Sequence, residues 1–164
     1  MPALFGNNEV MKPPPFKYHD PRSLDDALGL LAEKENAKLL AGGQSLMPMM
    51  NMRFVFPDDI IDLNRIPELA SIREDDGRIR IGAMTRQNTI ACSKVIRQRC
   101  PILIEALRHV GHIQTRNRGT IGGSLCHPDP SAELPTVIQG LDATITSEAR
   151  RVGEERRSRR SPSH

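Results

Sequence analysis

Two short runs constrain this chain more than any other feature: LLAGGQSLMP (Leu39–Pro48) and GTIGGSL (Gly119–Leu125). Each carries a Gly-Gly pair followed by polar side chains. Glycine adopts φ > 0 freely and has no Cβ to block the approach of an anion or a second backbone. A phosphate is held well where several backbone N–H groups converge on it, because such donors carry dipole without the desolvation cost of full charges. Gln44 and Ser45 add a side-chain amide and a hydroxyl to the first run, and Thr120 and Ser124 add hydroxyls to the second. Two such loops can grip a diphosphate from both sides. They can equally be two ordinary turns, and these residues alone admit both readings. Neither run is G-x-G-x-x-G, and no acidic residue stands where that fingerprint needs one, so a Rossmann domain is disfavoured.

The segments around the runs read as alternating small elements. Ser23 can cap a helix over SLDDALGLLAEKE, with Asp25 and Asp26 suited to its positive end. Leu24, Ala27, Leu28 and Leu31 form its apolar stripe. Strands are expected at Lys38–Ala41 and Asp58–Leu63, completing a small α/β unit. Ser71–Ile81 alternates about Asp76-Gly77, a hairpin signal. One helix is expected from Thr85 to about Arg99 and another over Ile102–Val110, preceded by Pro101 and stopped by Gly111. Ile102, Leu103, Ala106, Leu107 and Val110 keep helical spacing and read as core. A glycine-rich loop, a short helix near Ala132–Leu141 and the start of a strand at Ala143–Thr146 follow.

Composition narrows the function. The segment 147–164 holds six arginines and three glutamates, which accounts for the whole +3 net charge. The body is neutral, and with no Trp, one Tyr and four Phe it lacks the basic face and stacking aromatics of a nucleic-acid binder. The three cysteines, Cys92, Cys100 and Cys126, offer neither a disulfide framework nor a CxxC pair, and they cannot hold iron–sulfur clusters. His109, His112 and His127 lack metal-ligand spacing, so no metal is expected. No apolar stretch is long enough to span a bilayer and no secretory signal opens the chain, so the cytoplasm is the expected compartment.

Three segments together carry a resemblance: AGGQSLMPMMNMR (Ala41–Arg53), IGAMTR (Ile81–Arg86) and RNRGTIGGSLCHPDPSAELP (Arg116–Pro135). They resemble the FAD-binding medium subunit of molybdenum hydroxylases, the carbon monoxide dehydrogenase medium-subunit and xanthine dehydrogenase FAD-domain family, from about Lys12 to Thr146. The resemblance implies an α+β, two-subdomain FAD-binding fold of the vanillyl-alcohol-oxidase-like (PCMH) type. It divides the chain into a flexible arm (1–15), a small α/β FAD-binding subdomain (16–64), a second, incomplete subdomain (65–146) and a charged, disordered tail (147–164).

It also implies the site. Ala41, Gly42, Gly43, Gln44, Ser45 and Leu46 would form the first FAD pyrophosphate loop. Thr120, Ile121, Gly122, Gly123 and Ser124 would form the second, through backbone amides and the Thr120 and Ser124 hydroxyls. Glu133 falls where the family places an acidic residue on the cofactor, and Asp129 is a second candidate; either acid can instead cap the following helix. Thr85 and Arg86 are similar to residues near the flavin. No residue is expected to act as a base or nucleophile. The resemblance implies an oxidoreductase subunit that passes electrons from iron–sulfur clusters through FAD to an external acceptor. Its partners would be a large molybdopterin-binding subunit and a small 2Fe-2S subunit. The family continues well past Thr146 and the tail does not resemble it, so the sequence reads as a truncated or frame-shifted product. The alternative function is a non-catalytic nucleotide-binding remnant acting as a binding module.

Overall fold

The computed structural model describes residues 12–147 apart from Pro128 and Pro130. Most of the expected tail and the first eleven residues of the expected arm therefore lie outside the described residues.

The first unit is a three-stranded parallel sheet, β1 (Lys17–His19), β3 (Asp59–Asp62) and β2 (Ala37–Leu40), in the order β1-β3-β2. The central strand is buried at all four positions, as expected for a parallel strand covered on both faces. Its two carboxylates are satisfied by β1: His19 Nε2 lies 2.7 Å from Asp59 Oδ1, and the Tyr18 hydroxyl donates to Asp62 Oδ2 at 2.5 Å. The sequence reading did not anticipate β1. α1 (Leu24–Glu33) begins where expected, with Ser23 Oγ accepting from Asp26 N–H at 3.1 Å. Its packed face is Ala27 and Leu30, against Ile61 and Ile66. Leu31 is turned out to 38% exposure, so the expected stripe is rotated by one residue. After the first glycine run comes α2 (Leu46–Asn51), also unanticipated.

The second unit opens with the hairpin β4 (Ile72–Asp75) and β5 (Arg78–Ile81). Asp76 (φ 48°) and Gly77 (φ 72°) form the two-residue turn with both φ positive, as Asp-Gly foretells. The helix expected from Thr85 to Arg99 is two helices, α3 (Gln87–Cys92) and α4 (Lys94–Arg99). Ser93 breaks the run because its hydroxyl accepts the Ile96 N–H at 3.3 Å and caps the second helix while ending the first. α5 (Pro101–His109), α6 (Ile113–Arg118), α7 (Ile121–Cys126) and α8 (Glu133–Gly140) complete it. Ile90, Ile96, Leu103, Leu107, Ile121 and Leu134 form one apolar cluster, with Ile72, Ile79 and Ile81 of the hairpin packed on it. Ile102, expected in the core, is instead 54% exposed. Ala143–Thr146 forms no strand. Among the described residues no helix is long and apolar enough to cross a membrane.

Candidate functional site

The first glycine run is the turn between β2 and α2. Gly43 sits at φ 71°, a left-handed position that suits glycine. The consequence lies in the bonding of the turn. Among the described residues, the N–H groups of Gly42, Gly43, Gln44, Ser45 and Leu46 have no acceptor, whereas Met47 N–H reaches Gly43 O and Met49 N–H reaches Ser45 O. A backbone donor left without a partner is held there for water or a ligand.

The directions of three of these donors are fixed. A planar trans peptide places C=O and N–H on opposite sides, so pinning a carbonyl aims the next residue's N–H the other way. The Gly43 and Ser45 carbonyls are held by α2, which aims Gln44 and Leu46 N–H. The Ala41 carbonyl accepts from Asn64 Nδ2 at 2.9 Å, which aims Gly42 N–H.

Asn64 belongs to a wider network. Its Nδ2 also reaches Asp62 Oδ1 at 2.5 Å, its backbone N–H reaches the same oxygen at 2.8 Å, and its Oδ1 accepts from Arg86 Nη2 at 2.5 Å. The other fork of Arg86, Nη1, donates to Arg118 O. No carboxylate of the described residues forms an ion pair with Arg86 or Arg118. Partial burial, followed by the like charge of Arg118, pulls the Arg86 guanidinium below its usual range, while Asp62 acts the other way. It remains a cation at any working pH. Five open amides thus lie beside the Arg86 guanidinium, whose two forks are held by Arg118 O and Asn64 Oδ1 and which has no carboxylate in an ion pair with it among the described residues.

The second run lies against the first. A Cβ on Gly42 would fall 2.8 Å from Gly119 Cα and 2.9 Å from Arg118 C, and one on Gly123 would touch Ala41 Cβ at 3.6 Å. A family model described as the FAD binding domain in molybdopterin dehydrogenase matches residues 14–159. The chain belongs to that family.

Among its relatives, the 6-hydroxypseudooxynicotine dehydrogenase complex subunit alpha of Paenarthrobacter nicotinovorans is 51% identical over 140 residues, 85% of this chain and 47% of that protein. The carbon monoxide dehydrogenase medium chain of Hydrogenophaga pseudoflava is 45% identical over 139 residues, 84% of this chain and 48% of that one. A solved structure of carbon monoxide dehydrogenase from the same organism, lacking the Mo-pyranopterin moiety of its molybdenum cofactor, aligns with a TM-score of 0.75 at 48% identity. It covers 76% of this chain and 44% of that one. The chain spans about half the length of the curated relatives it matches. Its fold is the α+β FAD-binding fold of this family, and FAD is the family's cofactor.

Within this FAD-binding domain the two glycine runs are not equivalent. The second was expected to be an open loop of donors, and it is the first turn of α7. Ile121 N–H bonds Thr85 O (3.1 Å), Gly122 N–H bonds Ala83 O (2.8 Å) and Ser124 N–H bonds Thr120 O (3.2 Å). Gly123 N–H bonds Thr120 Oγ1 (3.0 Å), so the Thr120 hydroxyl is a helix cap on a side chain with 1% exposure. Thr85 is likewise buried, its hydroxyl donating to Ser71 O at 3.1 Å. Ser124 is different: its Oγ accepts from Gln87 Nε2 at 2.8 Å, which leaves its proton to donate elsewhere.

The acids divide. Asp129 Oδ1 accepts from Ser131 N–H (2.9 Å) and Ser131 Oγ (2.7 Å), and these bonds hold its carboxyl below the ordinary range. They close a local turn ahead of α8, whose N-cap is Ala132 with no side-chain cap bond, so the helix cap open to Asp129 does not form. Glu133 opens α8, which packs on α7, and it makes no hydrogen bond within the described residues. Asn64, Gln87 and the Arg118 carbonyl carry no local signal in the sequence; only the tertiary contacts expose them.

The fit to the cofactor can be judged on bonding alone. A pyrophosphate needs several backbone donors and a positive potential beside them. The Gly42–Leu46 turn supplies the donors, and Arg86 and Arg118 supply the potential. The residues present fit that part of FAD.

Proposed function

We propose that this chain is the FAD-binding, electron-transferring part of a molybdenum-containing hydroxylase or dehydrogenase complex. Gly42, Gly43, Gln44, Ser45 and Leu46 would hold the FAD pyrophosphate through their backbone N–H groups, with Ala41 closing the β2 side. Ser124 would donate its hydroxyl proton from α7. Thr120, Ile121, Gly122 and Gly123 would shape that wall by packing, Thr85 would anchor it, and Glu133 and Asp129 remain candidates for the ribose hydroxyls. The bound flavin supplies two-electron redox chemistry between iron–sulfur clusters on a small 2Fe-2S subunit and an external acceptor. Substrate turnover would belong to a large molybdopterin-binding subunit. None of the chain's own residues is asked to move a proton; their work is binding, orientation and charge balance.

The observation that carries the reading is the run of five unpartnered amides beside Arg86 and Arg118. The test is a titration of the full chain with FAD, followed by flavin absorbance and by quenching of flavin fluorescence. Saturation at one FAD per chain is expected, with ADP and inorganic pyrophosphate competing and riboflavin failing to compete. Binding that riboflavin displaces and pyrophosphate does not would remove the pyrophosphate assignment. Binding of polyanions that fades steeply with salt, with no flavin retained, would favour the binding-module alternative.

A further inference from the structure

The residue that ties the two halves of the site together is not a glycine. Arg86 stands between Thr85, buried at 3% exposure, and Gln87, buried at 3% and bonded through its N–H to Gly119 O at 2.9 Å. Its backbone is therefore fixed, and its guanidinium spans two acceptors that belong to different units. Nη1 bonds the carbonyl of Arg118 at the end of α6, and Nη2 bonds Asn64 Oδ1 just after β3. The planar fork of arginine makes two such bonds at a set angle, which a lysine ammonium on its flexible stem cannot reproduce.

Asn64 passes the constraint on. With its Oδ1 accepting from a cation, its Nδ2 is a stronger donor toward the Ala41 carbonyl. That carbonyl shares a peptide plane with Gly42 N–H, the first of the five open donors. The later donors Gln44 and Leu46 are aimed by α2 itself, whereas Gly42 has only this relay.

We infer that Arg86 is a positioning residue: acting through Asn64 and the Ala41 carbonyl, it sets the direction of the Gly42 N–H and locks the anion-binding turn against Arg118–Gly119. It does so by hydrogen-bond geometry, with its charge as a background field. The inference rests on the proposed pyrophosphate role of the turn.

The experiment measures FAD and ADP affinity of the full chain as wild type, Arg86→Ala, Arg86→Lys, Asn64→Ala and the Arg86→Ala/Asn64→Ala double variant. Adenosine serves as the phosphate-free probe. Arg86→Ala and Asn64→Ala are each expected to weaken FAD and ADP by about 10- to 100-fold, the range for bonds involving charged groups. The phosphate-free probe should be unmoved, and the double variant should match the worse single variant within about threefold, because both break one chain of bonds. Arg86→Lys should recover little.

Full recovery by lysine would show that charge alone matters and overturn the relay, as would a wild-type-like Asn64→Ala. Asn64 is exposed, so its variant keeps the inference testable if Arg86→Ala does not fold. A wild type that binds neither FAD nor ADP removes the function itself. A wild type that binds, with variants that bind equally, removes only the relay.

Discussion

Gly42→Ala is a sharp perturbation where the two glycine runs meet, because the added methyl has nowhere to go. It would fall 2.8 Å from Gly119 Cα and 2.9 Å from Arg118 C, and nearer still to Arg118 O. All three are backbone atoms, so no side chain can swing aside. Carbon contacts settle near about 3.5–4.0 Å, so the two segments must separate by about 1 Å. Overpacking of this kind costs about 1–3 kcal/mol. The atom that must move, Arg118 O, is also the acceptor of Arg86 Nη1, and loss of a bond to a charged group adds about 1.5–3 kcal/mol. At about 2–4 °C per kcal/mol for a chain of this size, the thermal midpoint should fall by about 5–24 °C.

The assay is thermal unfolding by circular dichroism, with FAD affinity measured well below both midpoints. Since the turn would be displaced by a large fraction of a hydrogen-bond length, affinity should drop at least about tenfold. Gly29→Ala is the internal control: its Cβ meets nothing within 4 Å, and a helix-interior glycine replaced by alanine should gain about 0.5–1 kcal/mol. A Gly42→Ala chain that melts with the wild type and binds FAD equally would falsify the contact between the two glycine runs.

Two further outcomes are open to simple measurement. Ser23→Ala removes the oxygen that accepts Asp26 N–H at the start of α1 and should cost about 1 kcal/mol in urea unfolding; an unchanged midpoint would refute the cap. Tyr18 has a raised pKa, chiefly because its hydroxyl donates to Asp62. A raised folded value means that its stabilisation is whole below tyrosine's ordinary pKa and is lost as pH climbs through the raised one. Tyr18→Phe should therefore flatten the alkaline limb of the stability curve; parallel pH curves for the two proteins would contradict this.

What was legible in the sequence was what local chemistry decides. The Ser23 cap, the Asp76-Gly77 turn and the apolar Ile60-Ile61 strand each follow from neighbouring residues, and each forms as expected. What was not legible depended on distant partners. Lys17–His19 has no strand pattern of its own; it is a strand because β3 offers a ladder, with Asp59 and Asp62 receiving His19 and Tyr18. Ser93 looked like one residue inside a helical pattern, and its hydroxyl made it a boundary between two helices. The Gly42-Gly43 turn could be read directly, while the Arg86–Asn64 hydrogen bond joins residues 22 positions apart and could not.

The two Gly-Gly runs show why motif likeness misled in part. Gly43 is glycine for its φ of 71°, and around it the chain leaves its donors open. Gly122 is glycine because a Cβ there would come within 2.7 Å of Ala83 Cβ, and around it every first-turn N–H of α7 is bonded within the chain. The same dipeptide thus marks a turn with open donors in one place and close packing of a helix in the other. Affinity for the pyrophosphate should therefore concentrate on the Gly42–Leu46 turn. Substitutions in Gly119–Ser124 should act on FAD mainly through stability, with the Ser124 hydroxyl as the exception because its proton is uncommitted.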